Sequence, residues 1–278
     1  MNQPTDEHLE ELLAFAKDVA RGAGRLALDH LEGGAAIEFK GPRELVTPVD
    51  RACEEYVVER IRQAYPDHGY FAEEGHQADG AWRWIVDPID GTTNFSQRLP
   101  LFSVSLGLEF EGELLLGVVS APYLDELFWA RRGGGAWLAW RGAPPRRCRV
   151  SQTSELKDAV LATGFAYVRN ETKNDNLENW RRLCLASRGV RRGGSAAIDL
   201  AYVADGRFDA FWEMHLKPYD VAAGVVLIRE AGGKVSDFFG GEDWLEGQSI
   251  VVSNGAVHER VRESLDPVHE DPWVRRPD

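Results

Sequence analysis

Residues 7–31 place apolar side chains at Leu9, Leu12, Leu13, Phe15, Ala16, Val19, Ala20, Ala23, Leu26, Ala27 and Leu31. The spacing predicts a helix, closed by Gly33-Gly34. A second helix is predicted over Pro48–Ala64, with Thr47 as cap, Pro48 in the first turn and Pro66 beyond the end. Val49, Ala52, Tyr56, Val57 and Ile61 share its apolar face. After residue 100 the texture changes. Segments 102–110, 113–121 and 126–130 alternate or run apolar, and Glu111-Gly112-Glu113 and Pro122-Tyr123 separate them. This predicts a β-meander. Gly133-Gly134-Gly135 and Pro144-Pro145 read as loops.

The second half alternates. Strands are predicted at 159–163, 190–192, 208–213, 234–236 and 250–253. Helices are predicted at 173–187, at 195–204 with Ser195 as cap, at 219–231 closed by Gly232-Gly233, and from 254 to about Leu265. Such alternation predicts α/β layering. The expected organisation is an α+β part over 1–150, an α/β part over 151–266 and a loose, charged tail over 267–278. There is no internal repeat.

With 278 residues, 44% of them apolar, the chain can bury one large core or two modest ones. Lys plus Arg number 32 against 45 Asp plus Glu, a formal net charge of −13. Such a chain on average repels nucleic acid and anionic membranes, so neither is expected as a partner. The basic clusters Arg131-Arg132, Arg146-Arg147-Arg149 and Arg191-Arg192 read as solvated faces, one of which can help attract phosphate. Cys53, Cys148 and Cys184 are odd in number and far apart, which predicts neither a disulfide framework nor a zinc site. A polar N-terminus and the lack of any apolar run of membrane-spanning length predict a soluble, cytoplasmic protein.

The chemistry concentrates in residues 84–95, Trp-Ile-Val-Asp-Pro-Ile-Asp-Gly-Thr-Thr-Asn-Phe. A short buried strand, Trp84-Ile85-Val86, is predicted to end on Asp87, where Pro88 and Gly91 force a turn. Asp87 and Asp90 leave that turn beside Thr92, Thr93 and Asn94. Two carboxylates at one point repel unless a cation neutralises them, and hard cations such as Mg²⁺ take oxygen ligands. The Gly-Thr-Thr-Asn stretch can open a helix whose free N–H groups face phosphate. Metal plus phosphate at one turn suggests phosphoester hydrolysis. Tyr70-Phe71-Ala72-Glu73-Glu74-Gly75 repeats the logic 14 residues before Asp87, and two adjacent strands ending at one edge give a shared site. Asp220 in 217–224 and Asp50 in 45–50 each lie in the first turn of a helix. Taken singly, such an acid offsets the helix dipole; four acidic element ends in one chain point to one site.

Together these segments resemble the inositol monophosphatase family, within the wider superfamily of Mg²⁺-dependent, lithium-sensitive phosphatases. The matching pieces are Leu-Val-Thr-Pro-Val-Asp (45–50), Ala-Glu-Glu-Gly (72–75), the 84–95 segment, Gly-Gly-Ser-Ala-Ala (193–197), Glu213 within 212–224, and Glu-Ala-Gly-Gly (230–233). The resemblance implies an αβαβα sandwich, two to three Mg²⁺ ions, a small phosphomonoester substrate and a homodimer. It implies that Glu73, Asp87 and the Ile89 carbonyl hold one ion, that Asp87, Asp90 and Asp220 hold a second, and that Glu73 serves a weaker third. Gly91 and Thr92 would present N–H groups to the phosphate, with Asp90 and Asp220 also facing substrate. Thr92, hydrogen-bonded to Asp50, would orient and deprotonate the attacking water. Glu213, with Gly194, Ser195 and Ala196, would line the pocket for the alcohol.

Two positions depart from the family pattern: Ala72 where Gly is usual, and Tyr219 where Trp is common. Lys217-Pro218-Tyr219-Asp220 also suits histidinol-phosphate phosphatases. The expected substrate is therefore myo-inositol monophosphate or a similar polyol phosphate, with histidinol phosphate, fructose 1,6-bisphosphate or a 3′-phosphoadenylyl nucleotide as alternatives. Some bacterial members of the family bind RNA polymerase or ribosome-assembly factors, so a non-catalytic regulator is the reading of a different class.

Overall fold

A computed structural model describes residues 4–31, 38–41, 44–172, 175–247 and 249–265. Gly33-Gly34, expected to close the first helix, and the tail from Pro267 lie outside the described residues. Helix α1 (Asp6–Leu31) leads to a small hairpin, β1 (Glu38–Phe39) and β2 (Leu45–Val46), then α2 (Pro48–Ala64). There follow β3 (Gly69–Ala72), β4 (Gln77–Ala78), β5 (Trp82–Asp90), the short α3 (Thr92–Ser96), β6 (Ser103–Phe110), β7 (Glu113–Ala121), β8 (Glu126–Arg131), β9 (Gly135–Trp140) and β10 (Arg146–Arg147). The remainder is β11 (Val160–Thr163), α4 (Leu177–Ala186), β12 (Gly189–Arg191), α5 (Ala196–Ala204), β13 (Ala210–Met214), α6 (Pro218–Glu230), β14 (Lys234–Ser236), β15 (Ser249–Ser253) and α7 (His258–Ser264).

The strands form two large sheets. The first is ordered β10-β9-β8-β7-β6-β5-β3-β4, and the second β12-β11-β13-β15-β14. In the first sheet every pairing is antiparallel except β3 with β5. Helices α1 and α2 bury Leu12, Val19, Val57 and Ile61 against Trp84, Leu106 and Val118 on one face of it. Helices α5 and α6 fill the space between the sheets, where Leu200, Val221 and Leu227 join Ile85, Val119 and Phe128 from the first sheet and Phe211 and Val252 from the second. Leu183 of α4 and Val261 of α7 cover Leu161, Trp212 and Val251 on the far face. The layering is αβαβα, as the resemblance implied. No helix among the described residues is long and apolar enough to cross a membrane.

Two strand assignments need correction. β5 does not end at Asp87 but runs to Asp90, with its register against β6 shifted between those residues. Pro88 has no N–H to give the ladder, so the chain bulges past it rather than leaving the sheet. β9 begins at Gly135 and continues the meander by a hairpin whose turn is closed by Gly134 N–H donating to the Arg131 carbonyl at 2.9 Å. Its alternation carries no polar face: Ala136 and Leu138 are buried with α5 and α6, while Trp137 and Ala139 on the other face pack against the core under α1 and α2, so both faces read as apolar.

Candidate active site

The parallel neighbours β3 and β5 set the site. Ala72 lies opposite Val86, so both strands reach the same edge together. Glu73 and Asp87 follow directly, and the Glu73 carboxyl sits against that of Asp87. Asp87 is almost wholly buried, and its Oδ1 accepts the Ile89 N–H at 3.1 Å. Three residues on, Asp90 emerges at the bulge. Gly91 then takes φ 91°, a left-handed value that L side chains avoid, and α3 starts at Thr92.

Asp90 is held by the start of α5. It accepts the amides of Ala196 at 3.2 Å and Ala197 at 2.9 Å, the Ser103 hydroxyl at 3.3 Å and the Ser195 hydroxyl. Ser195 caps α5 as expected, its Oγ accepting the Ile198 N–H at 3.3 Å. The polar groups of Ser195 and Ala196 are thus engaged with Asp90, although both residues also line the cleft. Asn94 of α3 ties the two segments together, donating to the Gly193 carbonyl at 2.9 Å. Asp220 arrives from the first turn of α6, where its Oδ2 accepts the Lys217 N–H at 2.6 Å. Carboxylate oxygens of Asp87, Asp90 and Asp220 lie within 4.8 Å of one another.

Four acids drawn this close are costly as anions. Burial, working against the pull of Lys40, lifts Glu73 to about 7. Burial and then the charges of Glu73, Asp90 and Asp220 hold Asp87 well above the ordinary carboxyl range. Burial also raises Asp90 despite its four donors, and raises Asp220 strongly. The set consists only of hard oxygen donors at one point, and a divalent cation removes the repulsion. The residues therefore fit a metal site.

Behind this edge, Thr92 Oγ1 donates toward Asp50 Oδ1 at 3.1 Å and lies equally near the Ile89 carbonyl. Asp50 is fully buried, and burial raises its pKa against the hydrogen bonds from Thr47 and Thr92. A capping box fixes it: Thr47 N–H donates to Asp50 Oδ2 at 2.8 Å, and the Thr47 side chain accepts the Asp50 amide.

A cleft of about 280 Å³ opens over the acids. Its lining includes Glu73, Asp90 and Asp220 as well as Arg192, Asp199 and Glu213. Glu213, on β13, packs over Gly164, where any Cβ would fall 2.1 Å from its carboxyl oxygens. Burial lifts Glu213 to about 8, with Arg192 opposing and Asp199 adding. Gly91 and Gly194 also line the cleft.

Sequence reasoning missed Lys40 and Asp199. Lys40 bridges Glu73 at 3.3 Å and Glu74 at 2.5 Å. Its partners lie more than thirty residues away, so no local signal marks it. Asp199 sits one turn into an apolar helix whose only local signal is the Ser195 cap. Of the basic clusters, Arg131 pairs with Asp6 and Glu10, and Arg146 with Asp205, whereas Arg192 faces the cleft.

The sequence matches the Inositol monophosphatase family over residues 8–270. The chain belongs to the inositol monophosphatase family. It is 40% identical to Nus factor SuhB of Pseudomonas aeruginosa, over 96% of this chain and all of that one. It is 45% identical to inositol-1-monophosphatase of Rhizobium meliloti, over 82% of this chain and 85% of that one. Among solved structures, inositol monophosphatase from Anabaena (Nostoc) superposes with a TM-score of 0.82 at 38% identity, covering 95% of this chain and 98% of that one. The inositol monophosphatase family is metal-dependent, and the carboxylate cluster can hold such a metal.

Proposed function

We propose that this protein is a Mg²⁺-dependent phosphomonoesterase that releases phosphate from myo-inositol monophosphate or a similar small polyol phosphate. The observation that carries the reading is the convergence of Asp87, Asp90 and Asp220 within 4.8 Å, with Glu73 against Asp87, under a cleft that continues to Glu213. Glu73, Asp87, the Ile89 carbonyl, Asp90 and Asp220 would hold two to three Mg²⁺ ions. Bound Mg²⁺ neutralises phosphoryl oxygens and lowers the pKa of water. Thr92 and Asp50 orient the attacking water and accept its proton, and a carboxyl raised by burial is the better acceptor for it. The amides of Gly91 and Thr92 meet the phosphate. Glu213, beside Gly194, Ser195 and Ala196, accepts hydrogen bonds from the hydroxyls of the leaving alcohol. The reading extends to a cytoplasmic homodimer, on family resemblance.

The test is phosphate release over a panel of polyol, histidinol, sugar bisphosphate and nucleotide phosphomonoesters. Activity should need Mg²⁺, disappear in excess chelator and fall with millimolar Li⁺. Turnover that persists in chelator overturns the proposal. A second reading, a transcription factor, is favoured by the relatives called Nus factor SuhB. It predicts that the protein binds transcription components from lysate with Asp90→Asn as well as it does unaltered.

A further inference from the structure

We propose that Glu54 is a positioning residue that holds the 73–76 turn, and with it Glu73, in register for divalent metal; this rests on the metal-dependent reading above. Glu54 lies in α2, one helical turn after Asp50 and on the same face. It is fully buried. Its two oxygens take three N–H donors, all from one turn of chain. Glu54 Oε2 accepts the Glu74 amide at 2.6 Å, and Oε1 accepts the His76 amide at 3.0 Å and His76 Nδ1–H at 2.8 Å. The same turn is closed by Ala72 N–H donating to the His76 carbonyl at 3.0 Å, and is joined to β5 by Glu73 N–H donating to the Val86 carbonyl at 3.2 Å.

A carboxylate is a costly choice beneath Glu73, Glu74 and Asp50, because it adds like charge to an acidic edge. Its geometry explains it. A carboxylate offers two acceptor oxygens and no donor, whereas an amide would turn an NH₂ group toward one of the backbone N–H groups. One helix face therefore spans the site: Asp50 reaches the Thr92 hydroxyl on one side, and Glu54 grips the Glu73 turn on the other. The spacing between those sides is then set by a rigid, capped helix before any ion binds.

The test compares Glu54→Gln and His76→Ala with the unaltered protein. Mn²⁺ affinity is read directly by electron paramagnetic resonance, without turnover, and kcat is measured at saturating Mg²⁺. Glu54→Gln should weaken Mn²⁺ binding about 10–100-fold, the range for outer partners of metal ligands. Saturating Mg²⁺ should restore kcat to within about threefold, since the ligands themselves are intact. His76→Ala keeps both backbone bonds and should weaken Mn²⁺ binding far less than Glu54→Gln. Unchanged Mn²⁺ affinity in Glu54→Gln overturns the role, as does an equal loss in both variants. A readout independent of variants is hydrogen exchange of the unaltered, metal-free protein. The amides of Glu74 and His76 should already be protected, and fast exchange there overturns the proposal even if Glu54→Gln does not fold. An unaltered protein that binds no Mn²⁺ would instead sink the metal-dependent reading itself.

Discussion

Asp90 receives more donors than any other acid of the cleft. Two helix amides, Ser195 and Ser103 fix its oxygens while it faces Asp87 and Asp220. Asp90→Asn keeps the shape but replaces one acceptor oxygen by a donor and removes a charge that metal needs. Turnover should vanish with the circular dichroism spectrum unchanged. More than about a tenth of the activity, a barrier change of only ~1.4 kcal/mol, would show that Asp90 is not a ligand. Glu213 carries a pH signature that needs no turnover. Its ordinary value is 4.5, and burial lifts it to about 8 in the fold. Between those values the folded protein keeps a proton that the unfolded chain has released. The stability linked to this group is therefore lost as pH rises from 4.5 through 8. Gln does not titrate. In chelator, Glu213→Gln should gain on the unaltered protein in melting temperature as pH goes from about 5 to 9. A constant difference, or the opposite trend, would show that Glu213 is not buried as a carboxyl.

At the scale of elements, the site depends on how closely α6 lies on the first sheet. Gly107 of β6 and Gly117 of β7 face Ala222 and Ala223 of α6, and a Cβ on Gly117 would fall 2.3 Å from the Ala223 carbonyl oxygen. No side chain can yield there, because the obstacle is backbone. Gly117→Ala should therefore push α6 outward and cost about 1–3 kcal/mol of stability. Asp220 rides on the first turn of α6, so metal affinity should fall together with the melting temperature. Thermal unfolding with and without Mg²⁺ measures both. A variant that loses stability but binds Mg²⁺ as before would show that the acid edge is decoupled from this contact.

At the scale of the molecule, the two sheets come from separate stretches of chain, yet they share one helix layer. We propose a division near residue 150 that is organisational and not autonomous. Ile85, Leu114, Val119 and Phe128 from the first stretch share one buried cluster with α5 and α6 of the second. Residues 1–150 alone would expose that face, a contiguous apolar surface of the kind that aggregates. The fragment should be insoluble or molten by near-UV circular dichroism, and a soluble, cooperatively folding fragment would refute the dependence. The net charge of −13 adds repulsion to the metal-free protein, so Mg²⁺ should raise its melting temperature through binding to the folded form alone.

What the sequence determined by itself was local. The bounds of α2, the Ser195 cap, the extent of β14 and the four acidic element ends follow from Pro, Gly, capping residues and period, all of which act within a few residues. The layered fold was legible because the alternation of strands and helices leaves few ways to bury both faces of a sheet. What the tertiary structure alone decided depends on partners distant in the chain. Where β5 ends depends on how β6 pairs past Pro88. β9 is hidden because both of its faces are apolar, Ala136 and Leu138 on one and Trp137 and Ala139 on the other, each packed on a different helix layer. Lys40 finds Glu73 across 33 residues, Glu54 grips the Glu74 amide across 20, and Ser195 meets Asp90 across 105. No local propensity encodes such meetings, since each depends on the register of a strand or the seat of a helix that is fixed only when the layers pack.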